Sequence, residues 1–135
     1  NESQSVSLRE EMEFASAYIF LLKMRFENNL QFDIQIAKSF EDYRLPPMAV
    51  QVLIENAVKH NEISDRKPLT IHIVTNNEGY LSVSNDIQPK RTAASGTGIG
   101  LVNLAKRYRL LFKQDIQITE DKEFSVCIPL IDEVQ

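Results

Sequence analysis

The stretch LTIHIVTNNEGYLSVSN, from Leu69 to Asn85, decides the fold class of this chain. Two β-prone runs, Leu69 to Thr75 and Tyr80 to Asn85, flank Asn76-Asn77-Glu78-Gly79, residue types that accept the backbone angles of a hairpin turn. A hairpin therefore sits mid-chain, with helical patterns on either side. Upstream, Pro46-Pro47 suits the first turn of a helix, where a missing N–H costs nothing, and the helix is expected from about Pro47 to His60. Downstream, a loop from Asp86 to Thr97 runs into Gly96-Thr97-Gly98-Ile99-Gly100, followed by an amphipathic run with Leu101, Leu104, Tyr108 and Leu111. Farther out, Leu30, Phe32, Ile34 and Ile36 alternate with Gln31, Asp33 and Gln35, the period of a half-buried strand. Asp115 to Thr119 and Phe124 to Pro129 read as two more strands around a charged turn. The order αβαββαββ packs economically as an α/β two-layer sandwich: a mixed sheet of about five strands, helices on one face, and an additional N-terminal helix.

That N-terminal helix, Ser7 to about Asn28, carries one apolar stripe of Leu8, Met12, Ala15, Ile19, Leu22 and Phe26. Phe14, Tyr18, Leu21 and Met24 form a second. A helix apolar over more than half its circumference has two faces to bury, either within one core or against a segment or second protomer outside this chain.

The 135 residues, 43% hydrophobic and 25% charged, describe one ordinary globular domain able to build its own core. The longest apolar run, Ala17 to Leu22, is far short of the ~20 residues that span a bilayer. Cys127 is the one cysteine; lying in an alternating apolar run, it is expected to be a core thiol in a reducing compartment. Neither His60 nor His72 has a cysteine partner or the spacing of a zinc motif, which sets zinc aside. The net charge of −4 argues against nucleic acid as a partner. Charge is nonetheless uneven: between Asp86 and Asp115 there is no acidic residue, while Lys90, Arg91, Lys106, Arg107, Arg109 and Lys113 are basic. This segment surrounds the glycines with positive potential, although Arg107, Arg109 and Lys113 also complement a helix C-terminus.

Two constellations can carry chemistry. On the Pro47 to His60 helix, Val52, Asn56, Lys59 and His60 share a stripe, while Val50, Leu53, Ile54, Ala57 and Val58 supply the core contact. An asparagine carboxamide oxygen is a hard neutral ligand suited to magnesium, and Lys59 can meet a phosphate as a point charge. The same residues also read as a solvated helix face, and Glu55, off the Asn56 stripe, as an ion-pair partner for Lys59. In the second constellation, Gly96, Gly98 and Gly100 allow close approach of a ligand to the backbone, and the following helix offers unpaired N–H groups to an anion. The alternative is a glycine-rich surface turn. The spacing is neither that of a Walker loop nor that of a dinucleotide fingerprint.

Taken together, Leu53-Ile54-Glu55-Asn56-Ala57-Val58-Lys59-His60-Asn61 resembles the asparagine box of the GHKL superfamily, and Gly96-Thr97-Gly98-Ile99-Gly100-Leu101 its second glycine box. With the helix carrying Tyr18, Arg25 and Phe26, Pro46-Pro47, and the Arg107-Tyr108 segment, the whole chain resembles the catalytic, ATP-binding domain of a LytS-like two-component sensor histidine kinase. The resemblance implies a Bergerat-type sandwich over residues 29–135, with residues 1–28 a helix leading from a phosphoacceptor segment. It implies ATP and Mg2+ as ligands: Asn56 on the metal; Lys59 and His60 toward phosphates; Gly96, Thr97, Gly98, Ile99 and Gly100 around the triphosphate; Leu101 closing the pocket; a lid from Asp86 to Ser95.

Two departures stand out. The first glycine box of the superfamily reads D-x-G-x-G, whereas here the strand ends Val83-Ser84-Asn85-Asp86-Ile87-Gln88-Pro89. Asn85 takes the aspartate position by register, its side-chain oxygen still able to accept from an adenine amino group, and Asp86 faces the other way. The proline-histidine-phenylalanine context of a phosphoacceptor is also absent. His72, mid-strand, reads as structural. The resemblance thus implies an upstream histidine segment of the same protein, a response regulator, a homodimer, and a cytoplasmic domain of an inner-membrane bacterial sensor. The alternative is a GHKL-like interaction module without productive ATP binding.

Overall fold

The computed structural model describes residues 4–90 and 98–133. Strand β1, Val6–Ser7, pairs antiparallel with β3, Arg44–Leu45, in a two-stranded ribbon too short to show a period in the sequence. Helix α1, Leu8–Phe26, starts at a capping box: the Ser7 hydroxyl accepts from the Glu10 N–H at 3.1 Å, and the Glu10 carboxylate accepts from the Ser7 N–H at 3.0 Å. Then follow β2, Leu30–Gln35; α2, Ala49–His60; β4, Leu69–Thr75; β5, Tyr80–Asp86; α3, Ile99–Phe112; β6, Gln117–Glu120; and β7, Glu123–Pro129. The main sheet has the order β2-β4-β5-β7-β6; β2 and β4 are parallel and the other pairs antiparallel, so the expected mixed five-stranded sheet is present. Its β4–β5 hairpin turns on Gly79, at φ 86°, with the Asn76 side chain accepting from the Glu78 and Tyr80 N–H groups. Helix α2 begins two residues later than the prolines suggested, because Met48 at φ 70° breaks the helical path.

Strand alternation sorts the sheet into two faces. Leu69, Ile71 and Ile73 of β4, Leu81 and Val83 of β5, and Val126 and Ile128 of β7 are buried in one core with Val50, Leu53, Ile54 and Ala57 of α2 and Leu104 and Tyr108 of α3. Each side chain of that size contributes roughly 1.5–3 kcal/mol on burial, so this helix-covered face dominates the packing. The other face is polar, crossed by a row of paired residues, Asp33, His72, Ser84, Ser125 and Thr119. His72 lies there, its Nδ1 donating to Asp33 Oδ2 at 2.9 Å. Cys127 lies on this face too, paired with Ser82 and half-buried, which corrects the expectation of a core thiol: with Val126 and Ile128 facing inward, the residue between them faces outward.

Of the two α1 stripes, Leu8, Ala15 and Leu22 are buried, with Met12, Ile19 and Phe26 packed against the core. Phe14, Leu21 and Met24 are exposed, and Tyr18 is half-buried. One polar residue interrupts the buried stripe. Glu11 is 2% exposed, and its carboxylate oxygens accept from the Met48 and Val50 N–H groups at 2.9 Å each, capping α2 from a neighbouring helix. Arg107 of α3 reaches the same place, donating to the Pro47 carbonyl at 2.6 Å. The start of α2 is thus tied to both other helices.

Candidate functional site

Two elements distant in sequence build the candidate site. Helix α2 projects Asn56, Lys59 and His60 along one stripe, as the spacing indicates. The start of α3 brings Gly98, Gly100 and Leu101 opposite them, and the two sets close around a cavity of about 350 Å³. The helices meet closely there: a Cβ on Gly100 would sit 3.3 Å from Val52 Cγ1, so the Val52 side chain would have to give by a few tenths of an ångström. Gly98, at φ 85°, occupies the N-cap of α3, and among the described residues no side chain caps that helix. The first-turn N–H groups and the positive dipole end are therefore open to an anion from the cavity side.

A second cavity of about 330 Å³ shares Asn56, His60, Gly98 and Leu101 with the first. Ile87, Pro89 and Phe124 give it a more apolar wall. Side by side, the two form a cleft with a polar half and an apolar half, the arrangement that suits a ligand with an anionic end and a planar apolar end. Asn61 and Gln88 stitch the floor. Asn61 donates to the Ala57 carbonyl at 2.8 Å and accepts from the Gln88 N–H at 2.7 Å; the Gln88 side chain donates to the carbonyls of Glu62 and Lys67. These bonds fix the C-terminal end of α2 against the segment leaving β5.

The remaining expected site residues fall elsewhere. Asn85 is 1% exposed, on the core face as its register indicates, with Asp86 exposed on the other. It stands behind the cleft rather than on its wall, next to Phe124 across the β5–β7 ladder, and its Nδ2 donates to the Asp86 carbonyl at 2.7 Å. Ile99 is 67% exposed and turned from the cavity, a correction that follows from helical geometry: with Gly98, Gly100 and Leu101 on the wall, the side chain at 99 points out. Gly96 and Thr97, with the part of the expected lid from Arg91 to Ser95, lie outside the described residues.

Two wall residues carried no separate signal. Tyr18, embedded in the apolar pattern of α1, reaches the polar cavity; burial, then the nearby Glu55 carboxylate, push its phenol above the ordinary value. Glu55 itself borders the cavity instead of pointing away, because the wall spans a wider arc of α2 than the Asn56 stripe alone. The cleft thus offers a carboxamide, an ammonium, an imidazole, a carboxylate, a phenol and a helix N-terminus. A hard cation escorted by phosphates fits that donor set, with Asn56 supplying the neutral oxygen and phosphate the rest. Gly98 and Gly100 leave the start of α3 bare of side chain on the cavity wall, which suits close approach of such a ligand to the backbone.

No protein-family model matches the chain. Among curated proteins, the sensor protein LytS of Streptococcus mutans is 34% identical over 136 aligned residues, which cover 89% of this chain. The sensor histidine kinase BtsS of Escherichia coli K12 is 28% identical over 120 residues, covering 87% of this chain. The chain spans only 21–23% of the length of these relatives. Among solved structures, the catalytic domain of the histidine kinase ThkA superposes with a TM-score of 0.63 at 18% identity, covering 96% of this chain and 99% of that one. A mycobacterial sensor histidine kinase, MprB, gives 0.57 at 11% identity, covering 95% of this chain and 97% of that one. At these identities the structural likeness speaks for the fold.

Proposed function

The chain is a relative of the LytS and BtsS sensor histidine kinases and has the fold of a histidine kinase catalytic domain; from that premise we propose that it binds Mg·ATP and donates the γ-phosphoryl group to a histidine. That histidine belongs to an upstream segment of the same protein, paired as a homodimer; a response regulator then receives the phosphoryl group. Residues 29–135 form the ATP-binding unit, and residues 1–28 lead in from the phosphoacceptor segment. The setting is the cytoplasmic side of an inner-membrane bacterial sensor, with no role for nucleic acid. Among the described residues no helix is long and apolar enough to cross a membrane.

One observation carries the reading. Asn56, Lys59 and His60 meet Gly98 and Gly100 across a single cavity, although about forty residues separate them in sequence. In phosphoryl transfer the protein mainly positions groups and neutralises charge. Asn56 holds the cation, and Lys59 with the α3 N-terminus holds phosphate oxygens; Leu101 and Phe124 screen the apolar half from water. Magnesium, when bound, neutralises charge on the β- and γ-phosphates. As the P–O bond to ADP breaks and the N–P bond to the incoming imidazole forms, Lys59 stays opposite the transferring oxygens. Asn85, buried with its nitrogen held by the Asp86 carbonyl, backs the apolar half from beside Phe124. Gly96, Thr97 and Ile99 belong to the same phosphate-binding stretch of sequence as Gly98 and Gly100.

Calorimetric titration with a non-hydrolysable ATP analogue, with and without magnesium, tests the proposal. Wild type binds in a magnesium-dependent way, and Asn56→Ala loses that dependence. Unchanged magnesium-dependent binding in Asn56→Ala refutes the assignment.

A second reading, an interaction module without productive ATP binding, is favoured by the exposed α1 face of Phe14, Leu21 and Met24 and by Asn85 in place of an aspartate. No nucleotide binding, combined with concentration-dependent association lost in Phe14→Ser, selects it.

A further inference from the structure

A third concave site lies apart from the cleft. A groove of about 630 Å³ lies between the C-terminal end of α1, the loop after α2 and the segment leaving β5, sharing only Val58 with the polar cavity and Asn61 with the apolar one. Four cationic residues from three places in the chain, Arg25, Arg66 with Lys67, and Lys90, line it against one carboxylate, Glu62. That carboxylate is engaged by the Ser64 hydroxyl at 2.9 Å, and the adjacent Asp65 accepts from Asn29. Among the described residues none of the four cations is in an ion pair.

Gathering like charges into one concavity raises their mutual repulsion, most of all in a chain that is acidic overall. The backbone nevertheless holds them there. Arg25 lies over the Phe26 ring, 4.5 Å from its centroid, so its guanidinium is already oriented. The loop bearing Arg66 and Lys67 is closed by reciprocal Ser64–Lys67 backbone bonds of 3.1 Å and clamped by Gln88 on the Lys67 carbonyl. Lys90 follows the Asn61–Pro89 bridge. An anion entering the groove relieves the repulsion and meets donors that lose little freedom on binding it. The concavity has the size of a small-molecule site rather than of a flat protein interface.

We propose that this groove is a second anion site, one that takes a compact ligand carrying several phosphate charges independently of the Asn56 cleft. The site stands on its own residues and does not depend on the cleft binding nucleotide. Its test is a titration of the chain with inorganic tripolyphosphate at low and moderate salt. Wild type binds, and affinity falls steeply as salt rises. Arg66→Gln with Lys67→Gln, both on an exposed loop, weakens binding on the order of tenfold or more; Asn56→Ala stays within about twofold. Lys106→Gln with Lys113→Gln, an equal change of charge at exposed positions on α3 and its C-terminal cap, leaves affinity close to wild type and controls for net charge. Pre-saturation with the magnesium–ATP analogue leaves tripolyphosphate binding intact. The proposal is overturned if wild type does not bind. It is equally overturned if Asn56→Ala or the nucleotide analogue abolishes binding, which places the anion in the cleft, or if Lys106→Gln with Lys113→Gln weakens binding as much as the loop variant, which makes the effect one of overall charge.

Discussion

Glu11→Ala probes the joint between α1 and the start of α2. It removes two carboxylate oxygens and leaves the Met48 and Val50 N–H groups without acceptors at a site closed to water. A buried donor so orphaned costs about 1–3 kcal/mol, and the loss of a helix cap adds to that range, while relief from burying a charge subtracts. A net loss of about 3 kcal/mol is the expectation, which for a domain of this size lowers Tm by roughly 10 °C. Glu11→Gln keeps the shape and one acceptor oxygen and loses about half as much. The carboxyl is also pushed above its ordinary value of 4.5, first by burial and against the pull of the backbone N–H groups. The folded state then binds more protons than the unfolded one between those two values. Glu11 therefore contributes its full stability below pH 4.5 and loses part of it as pH rises through the folded value. The stability gap between wild type and Glu11→Ala, measured by urea denaturation across pH 4 to 8, narrows with rising pH and then levels off. Fraying of the first turn of α2 also moves Val52, which touches the glycine cradle, so nucleotide affinity falls along with stability. Melting within about 2 °C of wild type, or a gap that widens with pH, refutes the account of Glu11 as the cap.

Two further substitutions test the elements around the site. Gly98→Ala forces a β-carbon into left-handed backbone with no steric contact to blame, so it destabilises by about 1–2 kcal/mol through strain alone; Gly98→Asn, which tolerates that region, recovers most of the loss in thermal denaturation. Asp33→Asn removes a carboxylate held below its ordinary value of 3.8, first by the His72 hydrogen bond and then by that of Gln35. A lowered folded value stabilises above the ordinary one and is lost as pH falls through the folded one, so the variant is less stable near neutrality and the difference closes in acid, as urea midpoints at the two pH values check.

The parts of this fold legible in the sequence are those that depend on local period and turn chemistry. The β4–β5 hairpin, the strand of Leu30 to Gln35 and the face presented by Asn85 each follow from alternation about a marked turn. The β1–β3 ribbon gave no such sign, since two residues carry no period. Cys127 was misplaced because an apolar run of alternating character names its two faces but not which one is inside; the helix layer settles that through Val126 and Ile128. Glu11 is the instructive case. A carboxylate in a buried stripe looks like a break in the pattern, and the donors it accepts from lie 37 and 39 residues away, so only the tertiary arrangement explains it.

Glu11 also links the legible and the illegible parts of the site. The asparagine box and the glycines could be read because their chemistry lies along single elements, but what presents them is not local. The same helix α1 caps α2 at its start through Glu11, walls the polar cavity through Tyr18, and borders the basic groove through Arg25. About 1.5 Å of rise per residue places these three side chains in line over some 20 Å. A displacement of α1 against the sheet would act on all three together: on the cap of the helix bearing Asn56, on the phenol beside Glu55, and on the guanidinium facing the groove. In such an arrangement α1 couples the cap, the cavity wall and the groove, while Phe14, Leu21 and Met24 stay exposed on its outer face.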